Sequence, residues 1–95
     1  MKHTEKDLEN ICCNYAREHN IIAVKLEKNG HTGIPDRVFI KRGGGSIYVE
    51  FKKPGGGGIL SIYQDYFLNF LSPNFFVVDN FINFVSIIKK FNYGK

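Results

Sequence analysis

The sequence predicts a compact α/β fold in which a sheet is flanked by helices, with a further helix at the C-terminal end. Three observations predict the α/β class. Segments with helical apolar spacing alternate with short β-branched or aromatic runs, in the order α-β-β-β-α-β-α. Glycine clusters fall between the runs, where the chain must reverse. The chain has 95 residues, 43% hydrophobic and 23% charged, an ordinary balance for one folded domain over residues 1–95. That balance excludes wholesale disorder, and no run of ~18 apolar residues is present to span a membrane.

Residues 4–20 read as the first helix. Thr4 is a good N-cap and acids fill the first turn. Leu8, Ile11, Cys12, Tyr15 and Ala16 fall at i, i+3, i+4, i+7 and i+8, one apolar stripe. Cys12 lies on that stripe and Cys13 beside it, so both read as small core residues. Adjacent cysteines do not suit a disulfide, and with His3, His19 and His31 scattered they lack zinc-site spacing. Residues 1–9 are polar and charged, unlike a signal peptide, so an intracellular, cytoplasmic setting is expected.

Residues 21–28 read as a strand, with Ile22, Val24 and Leu26 alternating against Ala23, Lys25 and Glu27. Residues 36–41 and 46–53 form a second and third strand, joined through a hairpin loop at Gly43-Gly44-Gly45. Pro54 and the glycines at 55–58 stop the third strand. They read as a connector, because the Lys-Ser/Thr ending of a phosphate-binding loop is missing. Residues 61–71 form a helix whose apolar side is Ile62, Tyr66 or Phe67, and Phe70 with Leu71. Residues 75–79 are continuously apolar, as a buried strand is. The last helix, residues 80–91, places Phe81, Phe84, Val85, Ile88 and Phe91 at core spacing.

The chemistry concentrates between Gly33 and Lys52. Thirteen residues separate Asp36 from Glu50, and a hairpin with a short glycine loop brings the two together. Strand side chains alternate, so Glu50 and Lys52 share one face while Ile47, Val49 and Phe51 turn to the core. Two carboxylates and one ammonium therefore gather at one edge. Hard oxygen donors of this kind suit Mg²⁺ or Mn²⁺, with the backbone carbonyl of Phe51 a further candidate ligand. The simpler alternative is a surface hairpin carrying a cross-strand Lys–Glu pair. The formal charge is +4, and Lys25, Lys28, His31, Arg37, Lys41, Arg42 and Lys53 are expected around the same edge as phosphate contacts. Their alternative is a set of solvated charges.

The residues Gly33-Ile34-Pro35-Asp36-Arg37, Ile47-Tyr48-Val49-Glu50-Phe51-Lys52, Pro54-Gly55-Gly56 and Leu60-Ser61-Ile62-Tyr63-Gln64 occur in that order. Together with the opening Glu5-Lys6-Asp7-Leu8-Glu9 they resemble the virus-type replication-repair nuclease (VRR-NUC) domain, a branch of the PD-(D/E)xK nucleases. The resemblance runs from about Glu5 to Asp79 and implies a compact restriction-endonuclease-like αβββαβ core, a mixed sheet flanked by helices, followed by a C-terminal helix. It implies metal ligation by Asp36 and Glu50, a catalytic role for Lys52, and a place for Gln64 lining the active site from the second helix. It also implies an acid from the first helix. Glu5 and Glu9 share a helix face, so spacing leaves both as candidates; the resemblance favours Glu5, because the family's opening glutamate precedes the first apolar residue by three, as Glu5 precedes Leu8. The four glycines before Ile59 are a longer run than the family shows, which bears on where Gln64 falls.

The function implied is a Mg²⁺- or Mn²⁺-dependent, structure-specific DNA endonuclease of phage or viral type. It would cut branched DNA such as four-way junctions during DNA repair, as a homodimer in the host cytoplasm. The aromatic C-terminal helix is the candidate dimer surface, against the simpler view that it caps the sheet. The alternatives are a non-catalytic branched-DNA-binding module and a flap or duplex nuclease of restriction type.

Overall fold

Helix α1 (Glu5–Glu18) is followed by strands β1 (Ile22–Lys25), β2 (Arg37–Ile40) and β3 (Ser46–Phe51), helix α2 (Ile62–Leu71), strand β4 (Phe75–Val78) and helix α3 (Phe81–Tyr93). The computed structural model describes residues 4–28, 30 and 32–93. The fold is α/β with the expected αβββαβ order and a C-terminal helix. The sheet runs β1-β2-β3-β4, antiparallel through the first three strands and parallel between β3 and β4. No helix among the described residues is long and apolar enough to cross a membrane.

Local chemistry accounts for the elements. Thr4 and Asp7 form a reciprocal capping box that starts α1. Asn80 accepts from the Asn83 N–H and caps the start of α3. The β2–β3 hairpin closes with Lys41 N–H donating to Gly45 O and Gly44 N–H to Lys41 O. Gly43 and Gly44 have φ of 97° and 95°, a region that side chains avoid, so the loop needs glycine there.

One face of the sheet carries the core. Phe39, Ile47, Val49, Phe51 and Val78 pack with Leu8, Cys12, Cys13 and Ala16 of α1 and with Phe84, Ile87 and Ile88 of α3. Burial pushes the Cys12 thiol up to about 12 and raises that of Cys13, so both are inert packing groups, as expected. Helix α3 caps the sheet through Phe84, Ile87 and Ile88, the simpler of its two expected roles.

Three expectations are corrected. Ile11 is exposed, because α1 turns a narrower stripe inward than the spacing suggested. The first strand is shorter than residues 21–28 and faces the other way: Ile21 is buried and Ala23 packs on the core, while Ile22 and Val24 are exposed. Register explains this, since Ala23 pairs with the buried Phe39 and register partners share a face. The third correction concerns α2, which buries no residue; Ile62, Tyr66 and Phe70 face outward.

Candidate active site

Arg37 pairs with Val49, so one step further back Asp36 stands opposite Glu50. Both lie on the sheet face turned away from α1 and α3. Asp36 is held from two sides. Its carbonyl accepts from the Leu26 N–H at 3.0 Å and its Oδ2 from the Phe51 N–H at 2.8 Å. The backbone of Asp36 is thus tied to the chain after β1 and its carboxylate to β3, which preorganises the side chain and leaves Oδ1 toward Lys28 Nζ at 3.8 Å. The Phe51 peptide thus contributes its N–H to the site, as the group that orients Asp36.

Glu50 is 4% exposed. Its Oε2 accepts from Gln64 Nε2 at 2.7 Å and lies 3.7 Å from Lys52 Nζ. Its Oε1 is buried with no hydrogen-bond partner. Burial raises the Glu50 pKa to about 7, and the charge of Asp36 pushes the same way; Lys52 and Lys28 offset part of this. Glu5 adds a small further push, so its charge reaches Glu50 from the first turn of α1.

Gln64 joins the group together. Its Oε1 accepts from Lys52 Nζ at 2.8 Å and from the Ser61 N–H at 2.9 Å, while its Nε2 donates to Glu50. Only one orientation of the amide serves all three partners. The Ser61 Oγ in turn accepts from the Gln64 N–H at 3.1 Å. Ser61-x-x-Gln64 is therefore a capping box, and the same amide that starts α2 ties it to the carboxylate and the lysine. That spacing is visible in the sequence, and the structure brings Gln64 to the site as expected. The glycines at 55–58 do not displace α2 from the site. Gly55 and Gly57 donate to the carbonyl and carboxylate of Asp79, which anchors the connector at the end of β4.

Gly33 secures the approach from the other side. It has φ of 92°, and a Cβ there would lie 2.5 Å from the Tyr63 backbone carbon. The turn before Asp36 thus presses directly on α2. Gly33→Ala is expected to cost at least ~1–2 kcal/mol from the left-handed backbone alone. The contact with α2 adds to this. Thermal melts check it, and an unchanged Tm would mean that the turn and helix separate freely.

The first-helix acids divide. Glu9 Oε2 accepts from Arg37 Nε at 2.6 Å, with both side chains largely shielded from water. Arg37 pairs with Val49, so it lies on the α1 face, away from Asp36. Glu9 therefore locks α1 to β2, while the charge of Glu5 is felt at Glu50.

Several predicted cations lie elsewhere. Arg37 turns to Glu9, and Lys25 pairs with it across β1 and β2 on the α1 side. Lys41 and Arg42 follow the far end of β2, about 15 Å from Asp36 at ~3.3 Å per strand residue. There Lys41 donates to Phe91 O at 2.8 Å and stacks over the Phe91 ring, and Lys41 and Arg42 line a groove with Arg17. Lys28 stays beside Asp36, and Lys53 follows Lys52 at the same edge. His31 lies outside the described residues.

Compared with protein-family models and with curated proteins, the chain matches none. Among the described residues no group of three or more His, Cys, Asp or Glu side chains is placed to hold a metal ion. The donor set at the site is two carboxylates. Even so, the orphaned Glu50 Oε1 and the raised Glu50 pKa describe a buried oxygen without its counter-charge. A hard divalent cation fits that need, and Asp36 and Glu50 are the residues that would hold it.

Proposed function

We propose that the chain is a metal-dependent DNA endonuclease of the VRR-NUC type that hydrolyses phosphodiesters in branched DNA as a homodimer. One observation carries the reading. Asp36 and Glu50 stand opposite each other at the end of a hairpin, with the Glu50 Oε1 unsatisfied and Lys52 held beside them by Gln64. A purely structural Lys–Glu pair has no use for a buried orphan oxygen.

Asp36 and Glu50 would hold Mg²⁺ or Mn²⁺, which supplies Lewis-acid polarisation of a phosphate oxygen and a more acidic bound water. The protein's own part is positional. The Phe51 N–H and the β1 connection fix Asp36. Gln64 orients the Lys52 ammonium, which is placed to donate to a phosphate oxygen and to offset the charge that grows on it. Lys28 and Lys53 offer further phosphate contacts at the same edge.

The test is a cleavage assay on a labelled four-way junction, a flap and a linear duplex, each with Mg²⁺, Mn²⁺ or EDTA. Metal-dependent cutting confined to branched substrates is expected. Cutting of linear duplex alone would favour the restriction-type alternative, and junction binding without cutting the non-catalytic one. The same assay divides the helix acids. Glu5→Gln is expected to lower cleavage about 10-fold or more, as loss of a supporting group commonly does. Glu9→Ala is expected to keep cleavage and lose about 2 kcal/mol of stability by leaving Arg37 unpaired. The reverse pattern would return the role to Glu9.

A further inference from the structure

Helix α2 has seven apolar or aromatic residues among its ten, yet buries none. Ile62, Tyr63, Tyr66 and Phe70 are 80%, 59%, 60% and 72% exposed. Their spacing puts them on one side of the helix, and the Tyr66 and Phe70 rings already touch, with centroids 5.0 Å apart. At ~150–250 Å² per aromatic side chain, the four present roughly 500 Å² of surface to water. A folded monomer rarely leaves so large a continuous apolar patch open. Helices α1 and α3 pack into the core on the other face of the sheet.

We propose that the outer face of α2 is the surface through which two copies of this chain pair. The patch is most of the ~800 Å² per partner of a standard interface, and a two-fold axis lets one patch cover its own copy. Charge argues against the other occupants. Asp65 is the lone ionisable acid or base on α2 apart from its tyrosines, and the helix has no lysine or arginine. DNA and anionic membranes both call for cations on the docking face. A second copy asks only for a complementary apolar stripe. The inner side of the same helix carries Gln64, so pairing would also hold the bridge between Glu50 and Lys52 in place. The inference deepens the dimeric part of the reading above and moves the surface from α3 to α2; it does not depend on the nuclease chemistry.

Light scattering or sedimentation equilibrium on the full chain at micromolar concentrations tests it, alongside Tyr66→Lys/Phe70→Lys and Lys52→Ala. The wild-type chain and Lys52→Ala are expected to have the mass of two chains, and the double variant that of one with unchanged circular dichroism. Phe70→Ser, a milder change, is expected to weaken the dimer at least tenfold, and serves if the double variant does not fold. A wild-type monomer overturns the inference, as does a dimer whose strength is the same in either α2 variant. A dimer that pairs through α2 yet cuts no DNA would sustain this inference and sink the nuclease reading.

Discussion

Lys52→Ala is expected to lower DNA cleavage by at least about 100-fold, the usual loss when one preorganised donor to a reacting phosphate or carbonyl is removed. Asp36→Asn should do the same by weakening the grip on the divalent ion. The geometry explains why both losses should be catalytic and not structural. Lys52 is partly exposed, and among the described residues its ammonium meets Gln64 Oε1 and the Glu50 carboxylate. Neither contact bears on the core, which lies on the other face of the sheet. In Asp36→Asn the side-chain oxygen is retained and can still accept from the Phe51 N–H, so the end of the hairpin keeps its shape. Circular dichroism and junction binding should therefore stay near wild type while the rate collapses. Unfolding of either variant would show instead that the pair braces the sheet edge. Full cleavage by both would end the proposed chemistry.

The legible and illegible parts of the site have different physical origins. The Asp36–Glu50–Lys52 group was readable because a short hairpin turns sequence distance into register, and alternation turns register into facing. The same rule misled at Lys41 and Arg42. They are near Asp36 in the chain, but a strand carries residues away from its start at ~3.3 Å each. Glu5 and Glu9 could not be separated from one helix alone, since i and i+4 share a face. What separates them is how α1 crosses the sheet, which brings Glu9 to Arg37. The apolar side of α2 was read inward because soluble helices ordinarily bury theirs. Whether a second layer exists to bury it against is a property of the whole assembly, and α2's own residues do not state it.

Glu50 makes the second large prediction, and it concerns stability without metal. Its pKa is about 7 in the folded chain against an ordinary value of 4.5, raised through burial first and Asp36 second. Between those two values the folded state holds more protons than the unfolded one. Stability therefore falls as pH rises from about 4.5 to about 7, and stays low above that. A shift of this size corresponds to a loss on the order of 3 kcal/mol, or roughly 10 °C or more in Tm for a chain this small. In EDTA the wild-type protein should melt well below its pH 5 value when measured at pH 8. The decisive comparison is with Glu50→Gln. That variant removes the buried charge, and its Tm difference between pH 5 and pH 8 should shrink accordingly. Parallel profiles for the two proteins would mean that Glu50 titrates like a surface acid. Mg²⁺ or Mn²⁺ should then act in the opposite sense to the pH effect. A cation that binds the ionised carboxylates of the folded state stabilises it by mass action, most strongly where Glu50 is unprotonated. The metal-induced rise in Tm should be large at pH 8, small at pH 5, and nearly absent in Glu50→Gln at either pH. A rise of equal size at both pH values would place the ion elsewhere on the chain and leave the Glu50 oxygen without a counter-charge.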